Sequence, residues 1–133
     1  MNKRAIILVV DDASANLAMC KGLLSNEYEV HLARSGRLAL KAMEKIRPDV
    51  ILLDIEMPEM SGFDVMDAFN KDPDFHDIPV IFVTSHATDI LVKKAFDYGV
   101  ADYVVKPFDA TVLRAKILSA LLRQSNQENV VQV

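Results

Sequence analysis

The sequence predicts an α/β domain with a doubly wound parallel sheet, and three features of its patterning lead there. Five short apolar runs rich in β-branched residues, Ala5 to Val10, Glu29 to Ala33, Val50 to Asp54, Pro79 to Thr84 and Asp102 to Val105, read as strands. Four of the five show little polar alternation, the pattern of strands covered on both faces. Segments with helical spacing lie between and after them, joined by short loops. A fivefold βα alternation of that kind closes as a parallel sheet with right-handed crossovers.

Each element carries local support. The first run follows Met1-Asn2-Lys3-Arg4 and resembles a signal peptide only briefly, because its six apolar residues end in Asp11-Asp12. The first helix is expected over Ala13 to Leu24, with Asp12 as its N-cap. It contains Cys20, the chain's single cysteine, which excludes an intrachain disulfide and reads as a small buried hydrophobe in a reducing cytoplasm. Ser35 suits the cap of a second helix over Gly36 to Lys45, and Ser61 that of a third over Gly62 to Asn70. A fourth, Thr88 to Tyr98, is followed by Gly99, where a left-handed residue is wanted. Asp109 caps a fifth over Ala110 to Arg123. Residues 1–123 form one domain in this reading, and the amide-rich stretch from Gln124 to Val133 is a tail or the start of a linker.

The 133 residues suffice for a continuous core without a disulfide or structural metal. With 15 basic against 19 acidic side chains the net charge is −4, which argues against direct binding of a nucleic-acid backbone. No run approaches the roughly 20 apolar residues of a membrane span. A soluble cytoplasmic domain is expected.

In an open parallel sheet, ligands bind beyond the carboxyl ends of the strands. Here the first strand ends in Asp11-Asp12, the third in Asp54 and the fourth in Thr84, while the fifth runs into Lys106-Pro107. Carboxylates a few ångströms apart repel by about 1 kcal/mol per pair in water and about 4 kcal/mol at an effective dielectric of 20. A cation therefore belongs among them. An all-oxygen donor set with no histidine or cysteine suits Mg²⁺ rather than zinc. A carboxylate beside Mg²⁺, with a lysine and a threonine hydroxyl for the phosphoryl oxygens, has the parts for in-line phosphoryl transfer onto Asp54.

These residues stand in motifs that resemble the receiver domain of bacterial two-component response regulators, from about Ile6 to Leu122. The resemblance rests on Ile6-Ile7-Leu8-Val9-Val10-Asp11-Asp12, on Pro48 to Gly62 with Leu52-Leu53-Asp54-Ile55-Glu56-Met57-Pro58, on Pro79 to Thr84, and on Gly99 to Phe108 with Lys106-Pro107. It implies a flavodoxin-like sheet of order 2-1-3-4-5, phosphorylation by a histidine kinase or histidine phosphotransfer protein, and a shift between inactive and active conformations. By the same resemblance Asp54 is the phosphoacceptor, and Asp11 and Asp12 are the acidic pair that organises Mg²⁺. The backbone carbonyl of Glu56 completes the metal ligands, and Lys106 pairs with the phosphoryl group. Thr84 is the hydroxyl that moves toward that group, Tyr103 the aromatic switch, and Pro107 follows a cis bond. The side chains of Glu56 and His86, each two residues beyond a site residue, flank the path of an attacking water and are candidates for tuning phosphoryl lifetime.

Two rivals share the architecture. A flavin module wants glycines and hydroxyls after the first strand, where Asp11-Asp12 would repel its phosphate. A phosphoaspartate-type hydrolase resembles Asp-x-Asp-x-Thr at its nucleophile, from which Asp54-Ile55-Glu56-Met57-Pro58 departs. The favoured reading is a switch that assists its own phosphorylation and dephosphorylation, not an enzyme with a separate substrate. On the fifth helix, Leu113, Ile117, Ala120 and Leu121 should pack on the sheet, while Thr111, Ala115, Leu118 and Leu122 form a second, weaker apolar stripe. With Tyr103 and the fourth helix, that stripe is a candidate partner or homodimer face.

Overall fold

Side chains alternate across a strand, so a sheet whose strands are apolar throughout must have a core on each side. The computed structural model shows this arrangement; it describes residues 3–132, with side chains as far as Gln124, so Met1, Asn2 and Val133 lie outside the described residues. The elements run β1 (Ile6–Val10), α1 (Ser14–Leu24), β2 (Glu29–Ala33), α2 (Gly36–Ala42), β3 (Val50–Asp54), α3 (Gly62–Lys71), β4 (Val80–Thr84), α4 (Asp89–Asp97), β5 (Asp102–Val105) and α5 (Ala110–Gln132). All strand pairs are parallel, in the order β2-β1-β3-β4-β5.

Leu8, Val10, Ile51, Leu53, Val80 and Phe82 point toward α2, α3 and α4, where they meet Ala39, Val65, Met66, Phe69 and Ala95. Ile7, Val9, Val50, Leu52, Ile81 and Val83 point the other way, onto Leu17, Cys20, Leu24, Leu113, Ile117 and Ala120 of α1 and α5. The three inner strands are buried almost throughout, whereas β2 and β5 lie at the edges and are partly open. Each fully buried aliphatic side chain contributes about 1.5–3 kcal/mol relative to exposure, so this double core holds the strand ends rigidly in register.

The helix signals are mostly met. Ser35 accepts from the Leu38 N–H, Ser61 forms a reciprocal capping box with Asp64, and Asp109 accepts from the Thr111 and Val112 N–H groups. Gly99 adopts φ +96° after α4. Three expectations need correction. Asp12 does not cap α1, whose N-cap is Ala13 with no side-chain cap bond; instead Asp11 accepts from the Ala13 N–H at 2.9 Å, which leaves Asp12 free to face the strand ends. Helix α2 stops at Ala42 rather than Lys45, because Met43 closes it as C-cap and the chain turns toward β3. Helix α5 continues to Gln132 instead of ending at Arg123, so the amide-rich stretch propagates the helix backbone.

Candidate functional site

Strand register assembles the site. Val10 pairs with Leu53, Asp54 with Val83, and Thr84 with Val105, so Asp11, Asp54, Thr84 and Lys106 fall in a row along the carboxyl edge of β1, β3, β4 and β5. Asp11, Asp54 and Thr84 are the three buried polar residues in an otherwise apolar interior, among the described residues. Buried polar groups are costly unless paired, and each of these is paired.

Lys106, which precedes a cis peptide bond to Pro107, places its Nζ 3.2 Å from Asp11 Oδ2 and 3.3 Å from Asp54 Oδ2. Asp11 also accepts from Asn16 Nδ2 at 3.1 Å, and Asp54 Oδ1 accepts from the Glu56 N–H at 3.2 Å. Asp12 is exposed, yet one oxygen from each of Asp11, Asp12 and Asp54 falls within 4.8 Å of the others. Three carboxylates against one ammonium leave an uncompensated negative charge. The donor set is all oxygen, and these residues fit a hard divalent cation. Gly62 lets α3 begin hard against the acceptor strand: a Cβ there would lie 2.8 Å from the Asp54 carbonyl oxygen and 2.9 Å from Ile55 Cα.

Electrostatics follow the crowding. Burial, then the Asp11 charge, push the Asp54 carboxyl up to about 7, with Lys106 pulling it down and Glu56 adding to the rise. Burial opposes the charge on Lys106, but Asp54 and Asp11 together raise its pKa above the ordinary lysine value. Burial, reinforced by Asp11, lifts the Cys20 thiol to about 11, so Cys20 is a packed thiol rather than a nucleophile.

The Thr84 hydroxyl donates to Glu56 Oε1 at 2.8 Å and accepts from the His86 N–H at 3.0 Å. The His86 side chain is exposed, and it is the backbone of this residue that joins the site. Tyr103 is partly buried at the edge strand; its ring meets Phe96 edge-on with centroids 6.2 Å apart, under the Lys116 ammonium at 4.9 Å. On α5, Thr111, Ala115, Leu118 and Leu122 are all exposed, so among the described residues no neighbouring helix covers the second stripe. Ile90 and Phe96 on α4, Val105 on β5 and Val112 on α5 are further exposed apolar side chains.

Two participants are absent from the strand-end motifs. Asn16, in the first turn of α1, braces Asp11; its five-residue offset from Asp11, at the start of the helix that follows β1, is the signal that could have revealed it. The Ala13 N–H has no side-chain signature.

Comparison with known proteins bears on the family and the fold. Residues 7–118 match the response regulator receiver domain. The chain is 35% identical over 122 residues to a probable cyclic di-GMP phosphodiesterase of Vibrio cholerae, covering 92% of this chain and 28% of the relative. It is 38% identical over 116 residues to the response regulator PleD of Caulobacter vibrioides, covering 86% of this chain and 26% of that protein. This chain thus spans about a quarter of the length of these curated relatives. Among solved structures, a response regulator receiver domain protein from Clostridium thermocellum superposes with a TM-score of 0.84 at 31% identity, covering 92% of this chain and 98% of that one. With the 2-1-3-4-5 sheet, the acidic cluster at its carboxyl edge and a family match across most of its length, the chain belongs to the response regulator receiver domains.

Proposed function

We propose that this receiver domain is a signalling switch in which Asp54 accepts a phosphoryl group from a histidine kinase or histidine phosphotransfer protein. The observation that carries this reading is Lys106 held between Asp11 and Asp54, with Asp12 completing a carboxylate cluster at the open edge of the sheet. Asp11, Asp12, Asp54 and the backbone carbonyl of Glu56 would hold Mg²⁺. When bound, that ion supplies positive charge to the cluster and to phosphoryl oxygens.

An ionised Asp54 oxygen attacks phosphorus in line; the new O–P bond forms as the N–P bond to the donor imidazole breaks, and the imidazole leaves with the electron pair. Asn16 and the Ala13 N–H keep Asp11 oriented through this step. Lys106 follows the developing charge from the carboxylates to a phosphoryl oxygen, and the Thr84 hydroxyl donates to another. Tyr103 turns inward behind Thr84. The face made by α4, β5 and α5, with Tyr103, Ala115, Leu118 and Leu122, then changes its affinity for a partner or a second copy. Glu56 and His86 set how long the acyl phosphate survives water.

In the same reading residues 1–123 are the switch, and 124–133 are a tail or the start of a linker. The domain works in the cytoplasm of a bacterial two-component system, without binding nucleic acid or membrane itself. No helix among the described residues is long and apolar enough to cross a membrane. Incubation with Mg²⁺ and a small phosphodonor tests the proposal: one acyl phosphate per chain should accumulate. Sustained turnover of a phosphomonoester, without a stoichiometric phosphoprotein, would instead favour a phosphoaspartate-type hydrolase.

A further inference from the structure

A hydroxyl has one proton to donate. In this structure the Thr84 proton is already committed, because Oγ1 donates to Glu56 Oε1 at 2.8 Å while accepting from the His86 N–H at 3.0 Å. Thr84 is also buried, so its hydroxyl has no ready access to bulk water as an alternative partner. A phosphoryl oxygen on Asp54 can receive this hydroxyl bond only if Glu56 gives it up. Glu56 is placed to resist: its acceptor is a carboxylate, and hydrogen bonds to ionised groups are roughly twice as strong as neutral ones. Its charge also acts on Asp54, which it helps to push upward.

We propose that Glu56 is a latch for the unphosphorylated state, a positioning residue whose carboxylate holds the Thr84 hydroxyl away from the phosphoryl position. The inference rests on the switch reading above. The exchange is one of hydrogen-bond acceptors, with the proton remaining on Oγ1 throughout. Phosphorylation adds negative charge at Asp54, which repels the Glu56 carboxylate as Thr84 changes partner, so one event breaks the latch and offers the replacement acceptor. The neighbouring glutamate thereby raises the threshold for activation and favours return to the resting state once the phosphoryl group is lost.

The test is a double-mutant cycle read by the affinity for beryllium fluoride, a non-hydrolysable phosphoryl mimic, in the presence of Mg²⁺. Glu56→Ala should bind the mimic about five- to tenfold more tightly than wild type, and Glu56→Gln, which keeps a neutral acceptor, should fall between. In a Thr84→Ala background, where no hydroxyl remains to be latched, most of the gain from Glu56→Ala should vanish. An undiminished gain in that background would overturn the latch and leave only a through-space charge effect. Equal affinities of wild type, Glu56→Gln and Glu56→Ala would overturn it as well. Failure of the wild-type protein itself to bind the mimic would count against the switch reading. Melting curves of every variant identify any that bind poorly because they are misfolded, and for those Thr84→Val replaces Thr84→Ala.

Discussion

Replacing Asp54 by asparagine in the metal-free protein exchanges a crowded carboxyl group for a neutral isostere, and stability against pH then measures the cost of the cluster. Burial and the Asp11 charge push Asp54 up to about 7 from its ordinary 3.8. Between those values the native state keeps a proton that the unfolded chain has lost, so stability falls as pH rises through this window. Below the window both states are protonated and the contribution is fully present; above it an ionised Asp54 remains beside Asp11 and Glu56. About three pKa units at 1.36 kcal/mol each would amount to ~4 kcal/mol. The cluster opens to solvent at Asp12, and screening there brings the expected figure to ~2 kcal/mol. For a domain of this size that is roughly 6–8 °C in melting temperature. Urea denaturation with a chelator present should therefore find Asp54→Asn more stable than wild type by about 2 kcal/mol near pH 8, and nearly equal to it near pH 3, below the window. A variant less stable than wild type near pH 8, or a difference indifferent to pH, would refute the reasoning.

Three further outcomes are expected. Millimolar Mg²⁺ should raise the melting temperature of the wild-type protein, by about 2.7 kcal/mol of stability at a hundred times the dissociation constant, and far less in Asp11→Asn; equal shifts in both would remove Asp11 from the metal site. Gly62→Ala should destabilise the domain by about 1–3 kcal/mol in denaturant titration, because the new Cβ meets backbone at 2.8 and 2.9 Å rather than a movable side chain. Leu118→Glu, at a position 51% exposed, should change stability by less than about 0.5 kcal/mol yet weaken self-association or partner binding in the presence of the phosphoryl mimic, with Asp54 still modified normally; sedimentation and binding assays would show it.

The fold was legible because burial on both faces leaves a one-dimensional trace. Val50 to Asp54 and Pro79 to Thr84 stand out as strands since nearly every position must be apolar, and Ser35, Ser61, Asp109 and Gly99 mark helix ends through their own side-chain or backbone chemistry. The misread boundaries lie where that trace is weak. Asp11 and Asp12 are equally able to satisfy an N–H near Ala13, and only the direction of β1 decides that Asp11 does so. The sequence just after Arg123 is a run of polar amides in which no hydrophobic periodicity marks a helix, yet a helix once nucleated propagates through such residues. The strand-end groups of the site were readable because parallel order brings strand ends together. The bond between Thr84 and Glu56 was not, since it depends on the rotamer of an exposed glutamate across a loop.

The central claim is that the crowded carboxylate at the end of β3 is the one that becomes phosphorylated. After incubation with Mg²⁺ and a small phosphodonor, borohydride reduction of the intact phosphoprotein converts an aspartyl phosphate to homoserine, which peptide mass mapping can place. The account predicts homoserine at position 54 and none elsewhere, with no incorporation in Asp54→Asn. Homoserine at Asp11 or Asp12, the five-carbon hydroxy amino acid that reduction of a glutamyl phosphate would leave at Glu56, or undiminished phosphorylation of Asp54→Asn, would contradict it.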